Sequence, residues 1–215
     1  MPVKTADIIR RVQFGASDKQ GRRFTLQDIA DAMNEGARLL AETTRATTVY
    51  QTLTLAAGVN QDLRDAGPSD EYVALRRIEH NIGGGTVRLT DHEALDRAAR
   101  TWRATAQASQ IDEYAVDARQ PQRFTVFPPA QAGVQVRALV TPYPARFCIL
   151  NIGGTALQNA NEEIPLEDGF DTALVDYTLF RLFTSDAGNP SYAARAEQHL
   201  KLAQLATGAV QRSAG

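Results

Sequence analysis

Hydrophobic positions repeat with a helical period at both ends of the chain and with a strand period in the middle. Helical spacing of apolar residues marks four segments, at 5–15, from 25 to an end between 43 and 48, at 166–188 and at 190–208. In the middle of the chain, short runs alternate apolar and polar side chains, and Gly, Pro or Asp residues separate these runs. The pattern predicts two helices at each end of the chain and a β-rich region between them.

The widest apolar stripe belongs to the segment 166–188, which we expect to be the centre of the core. Its apolar residues cover so much of the helix circumference that the helix must be buried on more than one side. Arg181 lies among its aromatic residues, and no acidic residue stands three or four positions away on the same helix. We therefore expect Arg181 to be buried and paired with an acid on another helix, with Asp31 and Glu35 as the candidates.

Helix caps set two of the expected boundaries. Thr25 followed by Asp28 is a capping-box arrangement, with Asp in the place of the usual Glu, and it predicts the start of the second helix. Gly208 predicts the end of the last helix. Residues 209–215 are then expected to form a flexible tail.

The predicted fold class is α+β. No pair of the four helices can bury its apolar stripe alone, so the helices from the two ends of the chain must pack together. Residues 1–46 and 164–208 are therefore predicted to form a four-helix bundle. Residues 47–163 are predicted to form an inserted β-rich lobe.

Charge and composition exclude several classes of partner. The formal net charge is -2 at pH 7 and the sequence pI is about 5.9, so the chain lacks the basic surplus of a general nucleic-acid or anionic-membrane binder. No apolar run approaches the roughly 20 residues that a membrane-spanning helix needs. The single cysteine, Cys148, excludes an intrachain disulfide and a cysteine-based zinc site, and its apolar neighbours predict a buried, inert thiol.

Candidate catalytic and ligand-binding residues do not form a recognisable pattern. The glycines at 83–85 match no phosphate-binding loop and the histidines lack metal-ligand spacing, so we expect no catalytic residue, no cofactor and no metal ion. Acidic pairs at 162–163 and 167–168 precede the third helical segment, where acids commonly interact with the helix dipole. They leave a soluble carboxylate-dependent hydrolase open as an alternative. A second alternative is an α+β module that binds a ligand in an apolar pocket.

Five segments, in a fixed order, carry a resemblance to a known family. They are 22–40, with an Asn-Glu-Gly centre, 87–102, which ends in Trp102, 114–133, with an aromatic-Pro-Pro end, 173–187 and 192–208. The fourth contains an aliphatic-Asp-Tyr-x-aliphatic-aromatic-Arg core, formed by residues Asp176, Tyr177, Phe180 and Arg181, and a downstream Asp186. Together these segments resemble the head-to-tail adaptor (connector) proteins of tailed, podovirus-like phages.

The resemblance implies a virion structural protein rather than an enzyme. Members of the family form a dodecameric ring of identical copies, which joins the portal protein to the tail nozzle protein. Double-stranded DNA passes through the ring without specific binding, and assembly takes place in the host cytoplasm without a membrane. The signature residues Asp176, Tyr177, Phe180, Arg181, Asp186 and Trp102 are then expected in the core or at interfaces. We also expect Val210, Gln211 and Arg212 to contact the portal.

Overall fold

The chain separates into two compact units in the computed structural model, which describes residues 3–44, 46–68, 72–98, 100–147, 162–164, 166–167, 169–186 and 190–213. Unit 1 is formed by Met1–Thr47 together with Pro144–Gly215, and unit 2 is formed by Thr48–Tyr143. Both ends of the chain therefore contribute to unit 1, while unit 2 is one continuous stretch of sequence.

The described residues form six α-helices, one short 3₁₀ helix and seven β-strands, so the fold is mixed α+β as the sequence predicts. The helices are α1 (Thr5–Gly15), α2 (Leu26–Thr43), α3 (Leu63–Ala66), α4 (His92–Ala98), α5 (Asp171–Ser185) and α6 (Pro190–Ser213). The strands are β1 (Val49–Thr54), β2 (Gly58–Asp62), β3 (Tyr72–Asn81), β4 (Arg88–Leu89), β5 (Glu113–Val116), β6 (Arg123–Ala130) and β7 (Gln135–Pro142). The 3₁₀ helix is Trp102–Ala104.

Unit 1 is organised around α5, which packs against α1, α2 and α6. The buried residues of α5 are Ala173, Leu174, Val175, Tyr177, Thr178, Leu179, Leu182 and Phe183. They cover most of the helix circumference, which confirms that this helix is buried on more than one side. Burying one Leu or Phe side chain contributes roughly 1.5–3 kcal/mol, so α5 supplies a large share of the stability of unit 1.

Two glycines let the neighbouring helices approach α5 closely. A Cβ atom on Gly36 of α2 would lie 3.2 Å from Leu174 Cδ1 and 3.3 Å from Tyr177 Cβ. A Cβ atom on Gly15, at the end of α1, would lie 2.7 Å from Leu179 Cδ1. Larger residues at these positions would push the helices apart, because protein cores are close-packed.

The capping box at the start of α2 is confirmed. The Thr25 hydroxyl accepts a hydrogen bond from the Asp28 N–H at 3.2 Å, and the Asp28 carboxylate accepts one from the Thr25 N–H at 2.8 Å. Each side chain thus satisfies a backbone donor that has no partner within the helix.

Three predicted helix boundaries are wrong. Helix α5 begins at Asp171 because Gly169 has a φ of 98°, outside the helical region, and it ends at Ser185. Helix α6 continues through Gly208 to Ser213, so residues 209–213 are helical rather than a flexible tail. Val210 packs against the core of unit 1, and this burial outweighs the helix penalty of about 1 kcal/mol for one glycine.

Described residues near the end of the predicted β-rich lobe belong instead to unit 1. Phe147 is buried in the core of unit 1, and its backbone N–H and C=O both bond to the Asn34 side chain of α2, at 2.8 and 3.0 Å. Glu163 forms an isolated β-bridge with Lys4, next to the start of α1. Cys148 and most of the apolar run around it lie outside the described residues.

Unit 2 contains two sheets. The first has the strand order β1-β7-β3 and is antiparallel throughout. The second has the order β2-β6-β5-β4, in which only the short β4 runs parallel to its neighbour. The core of unit 2 is built from the inward-facing residues of these strands, among which Leu53, Ile78, Val126, Val136 and Val140 are almost fully buried.

Replacing Gly36 with Leu will destabilise unit 1 by about 1–3 kcal/mol, because the added side chain overlaps Leu174 and Tyr177. Urea unfolding of the purified variant measures the change. Gly36→Ala is the matched control, because its tight contacts are offset by the roughly 1 kcal/mol that alanine gains over glycine in a helix. Wild-type stability of Gly36→Leu would contradict the close approach of α2 and α5.

Candidate interaction surfaces

Arg181 forms an ion pair with Glu35 of α2 but is not buried. The Arg181 Nε atom contacts Glu35 Oε2, and 46% of the Arg181 side chain and 55% of the Glu35 side chain are exposed. The prediction of a partner on another helix is confirmed for Glu35, and the prediction of burial is wrong. The apolar stem of a long Arg side chain can follow a helix surface while its charge stays in water. Asp31 instead accepts a hydrogen bond from Gln27 at 2.9 Å.

Asp186 follows α5 and pairs with Arg23, which lies just before α2. The Arg23 guanidinium contacts the Asp186 carboxylate at 2.6 Å, and it also lies 4.2 Å from the centre of the Tyr192 ring in α6. A guanidinium over an aromatic face is attracted to the ring as well as to the carboxylate. One Arg side chain therefore joins the end of α5, the entry to α2 and the first turn of α6.

The remaining signature residues of α5 face the interior of unit 1. Asp176 Oδ1 lies 2.8 Å from His199 Nδ1 in α6, and the His199 ring centre is 5.7 Å from that of Phe183. Tyr177 is buried against α2, and this burial raises the pKa of its phenol. Phe180 is half-buried against the same core. These residues contribute to packing and helix-to-helix pairing.

Trp102 is fully buried in unit 2. Its Nε1 donates a hydrogen bond to Asp96 at 2.8 Å, and Arg103 donates to the same carboxylate at 2.7 Å. These two hydrogen bonds lower the pKa of Asp96, with that from Trp102 making the larger contribution. Arg103 also lies 4.3 Å from the Trp102 ring centre, and Phe127 packs edge-on at 6.2 Å. Trp102 therefore organises the junction of α4, the 3₁₀ helix and β6.

Val210, Gln211 and Arg212 lie in the last turns of α6. Val210 is half-buried, and its Cγ2 would be 3.3 Å from a Cβ atom on Gly169, just before α5. Val210 therefore packs within unit 1, whereas the backbone of Gln211 and Arg212 continues the helix beyond that contact.

Helix α6 carries apolar residues on two faces. One face, with Tyr192, Ala196 and Ala203, is buried in unit 1. On another face, Leu202 is 40% exposed and Leu205 is 65% exposed. This second face was not predicted from the sequence. The signal was present in HLKLAQLA at 199–206, which has more apolar residues than a helix packed on one side can bury.

The last turn of α1 presents a further exposed apolar side chain, Phe14, which is 70% exposed, and the loop to α2 follows it. Asp18 fixes the loop, because its carboxylate accepts hydrogen bonds from the N–H groups of Arg22, Arg23 and Phe24 at 2.8–2.9 Å. Partial desolvation raises the pKa of Asp18, but the three backbone hydrogen bonds together outweigh it and lower the pKa. Residues 15–23 read in sequence only as a polar stretch, which gives no sign of these bonds.

Unit 2 has an open cavity of about 440 Å³ among β2, α3 and β6. Carboxylates at its lining belong to Asp62, Asp65 and Asp117. Asp62 pairs with Arg64 at 2.8 Å and with Arg123 at 3.4 Å, and chiefly the hydrogen bond from Arg64 lowers its pKa to about 2. A carboxyl group with that pKa is ionised at neutral pH and cannot act as the proton donor of a hydrolase.

Within the described residues, no three His, Cys, Asp or Glu side chains are grouped so that they could hold a metal ion. The same part of the chain contains no helix with the length and apolarity needed to cross a bilayer.

Helix packing, ion pairs between helix ends and exposed apolar side chains are features of a structural subunit. The chain belongs to the SU10 adaptor protein family, whose model matches residues 3–215. This is a family of phage structural adaptors and not of enzymes, so the resemblance found in the sequence is confirmed and the protein is a virion component. Among curated proteins, none gives a match.

Replacing Asp62 with Asn will change the pH dependence of stability. The folded-state pKa of Asp62 is lowered from 3.8 to about 2, so its ionised form stabilises the fold above about pH 4, and this contribution is lost as the pH falls from about 4 to 2. Urea unfolding at several pH values should show the stability difference between wild type and Asp62→Asn shrinking through that window.

Asp65→Asn is the control for this experiment, because it removes a neighbouring carboxyl group that forms no ion pair with Arg64 or Arg123. A wild-type advantage over Asp62→Asn that stays constant down to pH 2 would contradict the assignment.

Replacing Arg181 with Ala will reduce the free energy of unfolding by less than about 1 kcal/mol, because its ion pair with Glu35 is exposed. A double-mutant cycle with Glu35→Ala separates the pair from other effects of each substitution. A loss of 3 kcal/mol or more, on the scale of a broken buried pair, would show that the pair is not solvent-exposed.

Proposed function

We propose that this chain is the head-to-tail adaptor that forms a closed, dodecameric ring between the portal and the tail nozzle. The observation that carries the proposal is the family match over residues 3–215. DNA passes through the ring when the phage ejects its genome. The net charge of -2 and the pI of about 5.9 support this role, because a strongly basic lumen would bind phosphates and retard the DNA.

The proposed scaffold of each subunit is a four-helix bundle of α1, α2, α5 and α6, with the β-rich lobe inserted in the sequence between α2 and α5. Contacts of α5 with the other three helices support this arrangement. A bundle closed around one central helix is a rigid base from which loops and helix faces can reach other proteins.

A ring closed by rotation needs two different surfaces on each subunit, because neighbouring copies meet head to tail. Unit 1 has two exposed apolar groups that suit this requirement. One is Phe14 in the last turn of α1, and the other is the pair Leu202 and Leu205 on α6. We assign the α6 pair of one copy and Phe14 of the next to the lateral contact, where aromatic anchors commonly dominate binding.

The end of α6 is the proposed portal contact. Val210 belongs to the packing of unit 1, so the contact is carried by Gln211 and Arg212. Deleting residues 211–215 keeps Val210 in place and tests the contact more directly than a larger deletion would. Portal binding that is unchanged by this deletion would exclude the assignment.

Replacing Leu205 with Glu will prevent ring formation without unfolding the subunit, because a charge in an apolar contact is desolvated without a partner. The measurement is negative-stain electron microscopy of the chain mixed with its portal protein, with circular dichroism to check the fold. Gln204→Glu is the matched control, because it adds the same charge at an exposed position next to Leu205 on α6.

Three results separate the possible roles. Rings with Gln204→Glu and none with Leu205→Glu support the α6 contact. Rings with both variants would exclude Leu205 from the contact. Absence of rings for the wild-type chain, at concentrations where portal binding is detected by sedimentation, would count against the ring itself.

A further inference from the structure

The edge strands of the described part of unit 2 differ in how well they resist further pairing. The strand orders β1-β7-β3 and β2-β6-β5-β4 leave β1, β3, β2 and β4 at the edges. β4 has only two residues, and β2 has a shift of register between Gly58 and Asn60. β3 has three such shifts, and Val87 donates its N–H to the Glu79 carbonyl at the outer side of β3. Short length, bulges and covering loops all prevent an edge from adding a strand.

β1 has none of these protections. Its sequence, VYQTLT, has no charged residue and no proline, and its six residues pair with β7 in an unbroken register. Such an edge resembles those that recruit an additional strand. Among the described strands of unit 2, β1 is therefore the edge that is most open to pairing with another strand.

The backbone groups that face outward from β1 can be identified. Leu55, just after β1, donates its N–H to Val134 at 2.7 Å, so residues 53, 51 and 49 continue the bonding to β7 at every second position. The groups of Tyr50, Thr52 and Thr54 therefore point away from the sheet. In the described part of the chain, no backbone group bonds to these outward groups.

A positive charge without an acidic partner lies beside this edge. Arg137 of β7 is opposite Thr52, and its guanidinium lies 5.1 Å from the Tyr50 ring centre, over β1. Neighbouring Arg77 is paired with Glu79, whereas no ion pair of the described residues includes Arg137. On an added strand, the residue opposite Thr52 would lie in line with Thr52 and Arg137 across the three strands. Because the threonine side chain is small, an acidic side chain at that position could contact the Arg137 guanidinium.

We propose that the outer edge of β1 binds an extended segment of another protein, which adds a strand and carries an acidic residue opposite Thr52. Backbone hydrogen bonds to Tyr50, Thr52 and Thr54 supply the affinity, and Arg137 selects for the acid. A second copy pairing β1 with β1 offers no acid, because β1 has no charged residue. The proposal concerns unit 2 alone and holds whether or not the chain forms a ring.

The test uses the full-length chain and two short synthetic peptides in which valine alternates with glutamate or with lysine. Amide hydrogen exchange, followed by NMR, reads each backbone N–H separately. The glutamate peptide is expected to slow exchange at Tyr50, Thr52 and Thr54, and the lysine peptide is not. The amides at 49, 51 and 53 serve as an internal control, because they already bond to β7.

Two variants separate strand addition from ordinary surface contact. Thr52→Pro removes an outward N–H donor without removing a bond to β7, so it should abolish protection, while Thr52→Val keeps the donor and should retain it. Arg137→Glu should reverse the preference between the two peptides, by about tenfold in the ratio of their Kd values. Arg137→Glu also tests the idea if Thr52→Pro fails to fold.

Three outcomes would overturn the proposal. Equal protection by both peptides would remove the role of Arg137, and no protection by the glutamate peptide would exclude strand addition. Protection that appears without peptide as the protein concentration rises would assign the edge to a second copy of the chain.

Discussion

Burial of α5 on nearly all of its circumference is the interaction on which unit 1 depends. The helix touches α1, α2 and α6, which come from opposite ends of the chain, so unit 1 can form only after both ends have met. Gly15 and Gly36 allow this because they remove side chains where the backbones must approach α5 closely. The residue types of α5 are therefore set by packing within unit 1. Surfaces that bind other proteins must be formed by the elements around α5.

Ion pairs orient these helices more than they stabilise them. Arg181 with Glu35, Arg23 with Asp186 and Arg11 with Asp171 each connect α5 to another part of unit 1. All three include a partly exposed Arg side chain, and such pairs contribute about 0.2–1 kcal/mol. These pairs mainly restrict the relative orientation of the helices, because a planar guanidinium pairs with a carboxylate in only a few arrangements. Apolar packing therefore supplies most of the stability of unit 1, and the ion pairs help to fix how its helices are positioned along one another.

Local patterns in the sequence predicted those features that depend on neighbouring residues. The capping box at Thr25, the central place of α5 and the alternating strands in the middle of the chain all follow from short-range rules. Features that depend on distant residues were not predictable. The exposure of Arg181, the burial of Phe147 and the helical conformation beyond Gly208 are decided by which surfaces meet in three dimensions. The exposed side chain of Phe14 was missed for the same reason, because a single apolar residue shows no sign in sequence of lacking a partner. The surplus of apolar residues around Leu205, in contrast, was a usable signal.

The Asp18 carboxylate has a consequence for association that its own position does not suggest. By accepting three backbone hydrogen bonds, it orders the α1–α2 loop in the free subunit. Immobilising a flexible loop during association would cost conformational entropy, and that cost would be subtracted from the affinity. Here the cost is met when the chain folds, so a contact made by this loop in the proposed ring would keep its full binding energy. Asp18 thus connects the folding of one subunit to the strength of its contacts, although it need not touch any other protein.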